Sequence, residues 1–362
     1  MSDQNPLLPA IAPASGGALT TSTGQQRIAT RMAENLLDVA RSQERSLAAQ
    51  RRYRIGDYEF READHAQIQR WARRLGMAPE EVVARLGSSR TASRFDDDNF
   101  SVRDGAIVSL VWDFSLLPLP DWDWGGDLQI ARLGVLKAPR GQLPALPECL
   151  HELICDDNQL TSLTLAQVPK LKKLHCTNNE LTTLDLTPVA GLQQLSCRSN
   201  RLTGLDLTPV PGLKLLDCSS NQLIVLDLTL VAGLRKLYCY RNRLTELDLI
   251  SVPRLQKLHC WNNQLTELEL TPVPGLQELN CSFNQLTELE LIPVPRLQKL
   301  YCSFNQLTEL ELIHMPRLQT LYCSRNPMTD LNLAPVPGLQ KLWCDSSLNI
   351  TDAPPSLEVK RS

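Results

Sequence analysis

No lysine precedes Lys137 in this 362-residue chain, no cysteine precedes Cys149, and His65 is the one histidine upstream of that cysteine. A hydrolase or metal site needs a nucleophile with a base and an orienting group, or several soft ligands, and the stretch before Cys149 supplies neither set. No apolar run approaches the ~20 residues that cross a bilayer, so no membrane span is expected. No basic segment leads into an apolar one near Met1, so a Sec signal is not expected either. The net charge is −3, which argues against a polyanion such as nucleic acid as the partner. Asp96, Asp97 and Asp98 lack the alternating ligand spacing and the later glutamate of a calcium loop.

The rest of the chain is periodic. Cysteine recurs every 21 residues, at Cys155, Cys176, Cys197, Cys218, Cys239, Cys260, Cys281, Cys302, Cys323 and Cys344. Each stands in the frame L-x-x-L-x-C-x-x-N-x-L-T-x-L-D-L-T-P-V-P-G. Nine full units cover residues 150–338, and a truncated one begins at Leu339. Residues 133–149 keep the leucine spacing without the asparagine, as a degenerate first coil does. Self-similarity at so short a period specifies a stacked solenoid, because one unit alone cannot bury its apolar face.

Within a unit, L-x-L-x-C alternates apolar and variable residues, the period of a strand with one face buried. Parallel strands from successive coils should pair, ten of them along the cysteine ladder. The later T-x-L-D-L repeats the alternation and predicts a short second extended segment on the other side. Prolines at the eighteenth and twentieth positions, such as Pro272 and Pro274, remove donors and exclude long helices there. The ninth-position asparagines, from Asn158 to Asn326, offer two donors and an acceptor to backbone left bare where strand becomes loop.

These units resemble the bacterial leucine-rich repeat family in the form where cysteine replaces the sixth-position leucine. The resemblance covers roughly residues 133–344. It implies a leucine-rich repeat solenoid, with a parallel β-sheet on the concave face and an extended or turn-rich convex side, used for protein recognition. Ile224, Val225, Leu230, His314 and Pro327 depart from the repeat locally.

A ladder with one sulfur per coil does not converge on a tetrahedral site, and parallel Cβ vectors do not suit a disulfide. The thiols are therefore expected as small core hydrophobes in a reducing compartment. No metal and no cofactor are expected. Cys149, beside His151, lacks the third group of a catalytic constellation.

Outward strand positions are where a solenoid reads its partner. Aromatics and arginines gather there in the carboxyl-terminal half, the residue types that dominate interface hot spots. The expected protein-binding residues are Tyr238, Tyr240, Arg241, His259, Trp261, Phe283, Tyr301, Phe304, Tyr322, Arg325 and Trp343. Lys173, Lys236, Lys257, Lys299 and Lys341 lie beside them. On the other side, Glu246, Asp248, Glu267, Glu269, Glu288, Glu290, Glu309 and Glu311 are expected to form a solvated acidic face.

Residues 1–24, rich in Ser, Thr, Pro, Ala and Gly, read as a disordered tail. Their composition is similar to the export segment of type III secreted effectors. Residues 25–99 read as helical: Ile28, Met32, Leu36 and Ala40 recur every fourth residue amid arginines, and a helical pair follows that resembles a small helix-turn-helix-like module. Residues 100–149 are expected to be a cap with the degenerate coil, Trp122 and Trp124 covering the end of the core. Residues 339–362 are expected to be a partial repeat and tail. The expectation is a monomeric, non-enzymatic module that binds a protein partner, cytoplasmic or exported into a host cytosol. The alternative is the recognition part of an enzyme such as a ubiquitin ligase. Too little chain follows Cys344 for its catalytic domain, so activity would have to lie in the amino-terminal region.

Overall fold

The computed structural model describes residues 30–31, 33–43, 51–88, 100–104, 106–118, 128–138, 141, 143 and 145–362. The expectations for residues 1–24, Ile28, Met32, Asp96 to Asp98, Trp122 and Trp124 lie outside them. Two compact units are present, Met1–Arg51 and Arg52–Ser362. The first carries helix α1, described over residues 30–31 and 33–43, on which Leu36, Leu37 and Val39 are exposed.

The second unit opens with a hairpin of β1 (Tyr53–Ile55) and β2 (Tyr58–Phe60), which the helical reading of this stretch did not include. Helix α2 (Glu62–Leu75) stops at Gly76, whose left-handed φ of 65° a residue with a Cβ adopts poorly. Helix α3 (Pro79–Ser88) begins on proline, whose missing N–H is unneeded in a first turn. The pair buries Ile68, Trp71, Val82 and Leu86 completely. Trp71 meets Trp112 edge-on at 4.9 Å. Asp64, fully buried, accepts the Ile107 N–H at 2.9 Å and holds Arg61 at 2.8 Å. Among the described residues, Trp71 and Trp112 thus cover the amino-terminal end of the stack.

A sheet of fourteen strands runs from this cap to the carboxyl-terminal end. It begins with β3 (Phe100–Arg103), antiparallel to β4 (Ala106–Asp113), followed by β5 (Arg132–Leu136). The ladder strands follow in parallel: β6 (Glu152–Ile154), β7 (Lys173–His175), β8 (Gln194–Ser196), β9 (Leu215–Asp217), β10 (Lys236–Tyr238), β11 (Lys257–His259), β12 (Glu278–Asn280), β13 (Lys299–Tyr301) and β14 (Thr320–Tyr322). On the non-sheet side, β15 (Asp330–Asn332) pairs with β17 (Asn349–Thr351). The last ladder strand is β16 (Lys341–Cys344), and β18 (Glu358–Arg361) adds a further rung after it. Register advances one repeat per strand, Leu237 against Leu258, Leu279, Leu300 and Leu321.

All ten ladder cysteines are buried. Burial pushes the thiols of Cys239 and Cys281 up to about 12, so they sit in the core as neutral groups. The asparagines do what their chemistry allows and also join coils. Asn263 donates through Nδ2 to Cys260 O in its own coil and to Cys239 O in the preceding one, while its Oδ1 accepts the Leu244 N–H. On the non-sheet side the leucine pairs of T-x-L-D-L, such as Leu247 and Leu249, point into the core. They become hydrogen-bonded strand only at β15 and β17.

Candidate binding surface

Strands β10, β11, β13 and β14 bury their central leucine in the core and leave their first and third residues at least partly exposed. The eleven residues singled out from sequence fall into two rows. Tyr238, His259, Tyr301, Tyr322 and Trp343 lie on the strands themselves, whereas Tyr240, Arg241, Trp261, Phe283, Phe304 and Arg325 lie on the turn just past them. In the strand row Tyr238 meets His259 at 5.0 Å, and Tyr301, Tyr322 and Trp343 form a continuous edge-to-face series at 4.9 and 5.4 Å. Asn280 separates the two groups. In the turn row Tyr240 stacks on Trp261 at 4.7 Å, with the Arg241 guanidinium 4.9 Å from the same indole. Phe283 stacks on Phe304 at 4.1 Å. Arg325 occupies the same eighth position one coil beyond Phe304, and its backbone N–H donates to Asp345 at 2.7 Å.

The turn row has a backbone cause. The chain must bend from strand into the asparagine loop, and the eighth residue of each coil does so with positive φ, at 52° for Arg241, 55° for Phe283, 57° for Phe304 and 60° for Arg325. Asparagine or glycine suits that region, whereas a bulky side chain there costs about 1 kcal/mol. Phe283 and Phe304 accept the cost while leaving 48% and 44% of their surface in water. Their mutual stacking covers part of each ring, and the remainder faces water.

Glu278 sits in the middle of the strand face, with Lys257 and His259 at 2.9 Å and Lys299 at 3.9 Å. Burial alone would raise its carboxyl, but the hydrogen bonds from Lys257 and His259 win and hold it below the usual carboxylate range. The same hydrogen bond raises the Lys257 ammonium. Burial raises the phenols of Tyr238 and Tyr301, which remain neutral donors near pH 7. The face is therefore aromatic, with its charge compensated at the centre.

A second surface lies on the non-sheet side. A groove of about 900 Å³ crosses five coils from Asp227 to Glu311, and its walls carry the acidic residues read from sequence as a solvated face. Exposed Ile250 and Ile292 lie among them, with Ile313 one coil further on. The signal was present in sequence as L-I at the sixteenth and seventeenth positions of three coils, where four others carry L-T.

Residues 233–272, 253–293, 274–314 and 295–335 match the family model Leucine Rich repeats (2 copies). No curated protein matches the chain by sequence. Among solved structures, the functional domain of InlJ from Listeria monocytogenes, which includes a cysteine ladder, is 33% identical over 57% of this chain and 51% of its own, with a TM-score of 0.50. YopM from Yersinia pestis, a leucine-rich effector protein, is 31% identical over 65% of this chain and 66% of its own, with a TM-score of 0.57. YopM from Yersinia enterocolitica is 29% identical over 64% and 60%, with a TM-score of 0.51. The chain spans from 51% to 66% of the length of these proteins. Among the described residues no helix is long and apolar enough to cross a membrane. The frame repeated from coil to coil, the dry thiol ladder and these matches together identify the repeat region as a bacterial-type leucine-rich repeat solenoid with a cysteine ladder.

Proposed function

We propose that this chain is a non-enzymatic recognition module that binds a protein partner through the concave sheet face of its solenoid, acting as a monomeric effector delivered into a host cytosol. Leucine-rich repeat solenoids are commonly protein-interaction modules, and the two similar YopM structures belong to a leucine-rich effector. The carrying observation is the double row of rings over the carboxyl-terminal coils, with Phe283 and Phe304 held exposed in a backbone region that disfavours them. Rings of this kind bury large areas at low rotamer cost and dominate interface energetics.

Replacing Tyr238, Trp261, Tyr301 and Trp343 with alanine tests the reading, with partner recovery from host-cell extract measured beside the unaltered protein. Recovery of the partners should be lost while the thermal transition stays close to that of the parent. An unchanged set of recovered partners would overturn the assignment of this face.

A further inference from the structure

The non-sheet groove is independent of the ring face and has its own chemistry. Its two carboxylate rows, at Glu246, Glu267, Glu288 and Glu309 and at Asp248, Glu269, Glu290 and Glu311, stack at coil spacing, where like charges repel. Among the described residues none of these eight is ion-paired, although Lys257 and His259 pair Glu278 on the other face of the same coils. Beside the second row, two positions on, stand aliphatic side chains that line the same groove: Ile250 is 70% exposed and Ile292 48%. Val225, 58% exposed, lines the amino-terminal end of the groove at the head of the first carboxylate row. A solvated acidic wall accounts for the glutamates but not for isoleucine where neighbouring coils carry threonine, at Thr229 and Thr271. Among the described residues no three ligating side chains converge to hold a metal ion, so the carboxylates are spread along a track.

We propose that this groove docks a basic amphipathic helix of a partner protein, its lysines or arginines reaching the carboxylate rows and its aliphatic stripe covering Ile250 and Ile292. Five coils at about 4.8 Å give a track of roughly 19 Å, which a helix of about 13 residues covers at 1.5 Å per residue. One helical turn of about 5.4 Å nearly matches one coil, so cations at i, i+4, i+7 and i+11 meet successive carboxylates. Charge complementarity excludes an acidic or nucleic-acid occupant, and the aliphatic strip excludes a purely ionic one.

The test titrates a synthetic Leu/Lys peptide of about 18 residues with helical periodicity into the full chain by calorimetry. Saturable one-to-one binding is expected. Two variants, Ile250→Ser with Ile292→Ser, and Glu267→Gln with Glu269→Gln, Glu288→Gln and Glu290→Gln, should each weaken it at least ~10-fold, a change of about 1.4 kcal/mol. All six positions are exposed, and circular dichroism verifies that both variants stay folded. The alanine variant of the ring face should bind the peptide as the parent does, which separates this inference from the proposed function. A scrambled peptide of the same composition should bind at least ~10-fold more weakly. The proposal is overturned by absence of saturable binding, by equal binding of the scrambled peptide or of oligolysine, or by full affinity in either variant. Concentration-dependent dimerisation abolished by the same variants would give the groove to a second copy and would also overturn it.

Discussion

The amide of Asn263 touches backbone in two coils, and losing it strands more than its own loop. The Leu244 N–H has its acceptor in this side chain, and the carbonyls of Cys239 and Cys260 each lose one of their two amide donors. An unpaired buried N–H costs about 1–3 kcal/mol, so Asn263→Ala should lower stability by about 2–3 kcal/mol, read from the midpoint of urea unfolding. The thiols make a different prediction. Cys239 and Cys281 move from an ordinary value of 9.0 to about 12 on folding. A group raised in this way contributes fully below pH 9, and its contribution falls as the unfolded chain ionises between pH 9 and about 12. Unfolding midpoints should therefore decline with alkaline pH, and the decline should be shallower when both cysteines are replaced by alanine. The asparagine and cysteine roles were readable because each repeats in every coil. The left-handed eighth position was not, since Asn178 and Asn262 hint at it while Phe283 and Phe304 point the other way.

Secondary elements show how a stack ends. Every internal coil is covered by neighbours on both sides, but among the described residues β4 has a short antiparallel strand and the helix pair beyond it. Trp71 fills that boundary against Trp112. Truncating such a side chain costs about 3–5 kcal/mol, and in a quasi-one-dimensional stack the loss is felt first by adjacent coils. Trp71→Ala should reduce amide protection in β4, β5 and β6 while leaving β11 to β13 unchanged by hydrogen exchange. Uniform loss of protection would show instead that the stack opens as one unit. The helix pair was legible from its apolar spacing and from Pro79. Its docking partner was not, because the contacts of Trp71 and Asp64 lie some forty residues away in sequence and leave no local period. The strand β18 was hidden for a related reason: Glu358–Arg361 has no buried side-chain face, and only hydrogen bonding to β16 makes it a strand.

Across the solenoid the two long faces differ in chemistry although the same repeat builds both. The sheet face gathers rings around a neutralised carboxylate, and the other side sets carboxylates that, among the described residues, have no ion pair beside isoleucines. Variation between coils at fixed positions produces this contrast, so the frame that specifies the fold leaves the recognition residues free to change. Composition could place aromatic residues in the carboxyl-terminal half of the chain. Their sorting into a strand row and a turn row required the backbone.

The most direct test of the central claim places a photo-crosslinking benzophenone side chain at Tyr301, on the sheet face, and separately at exposed Thr182, outside both the sheet and the acidic groove. Irradiation in host-cell extract should yield a discrete protein adduct from position 301 that the unlabelled chain competes away, and none from position 182. The same adduct from both positions, or only from 182, would contradict recognition through the ring-bearing face.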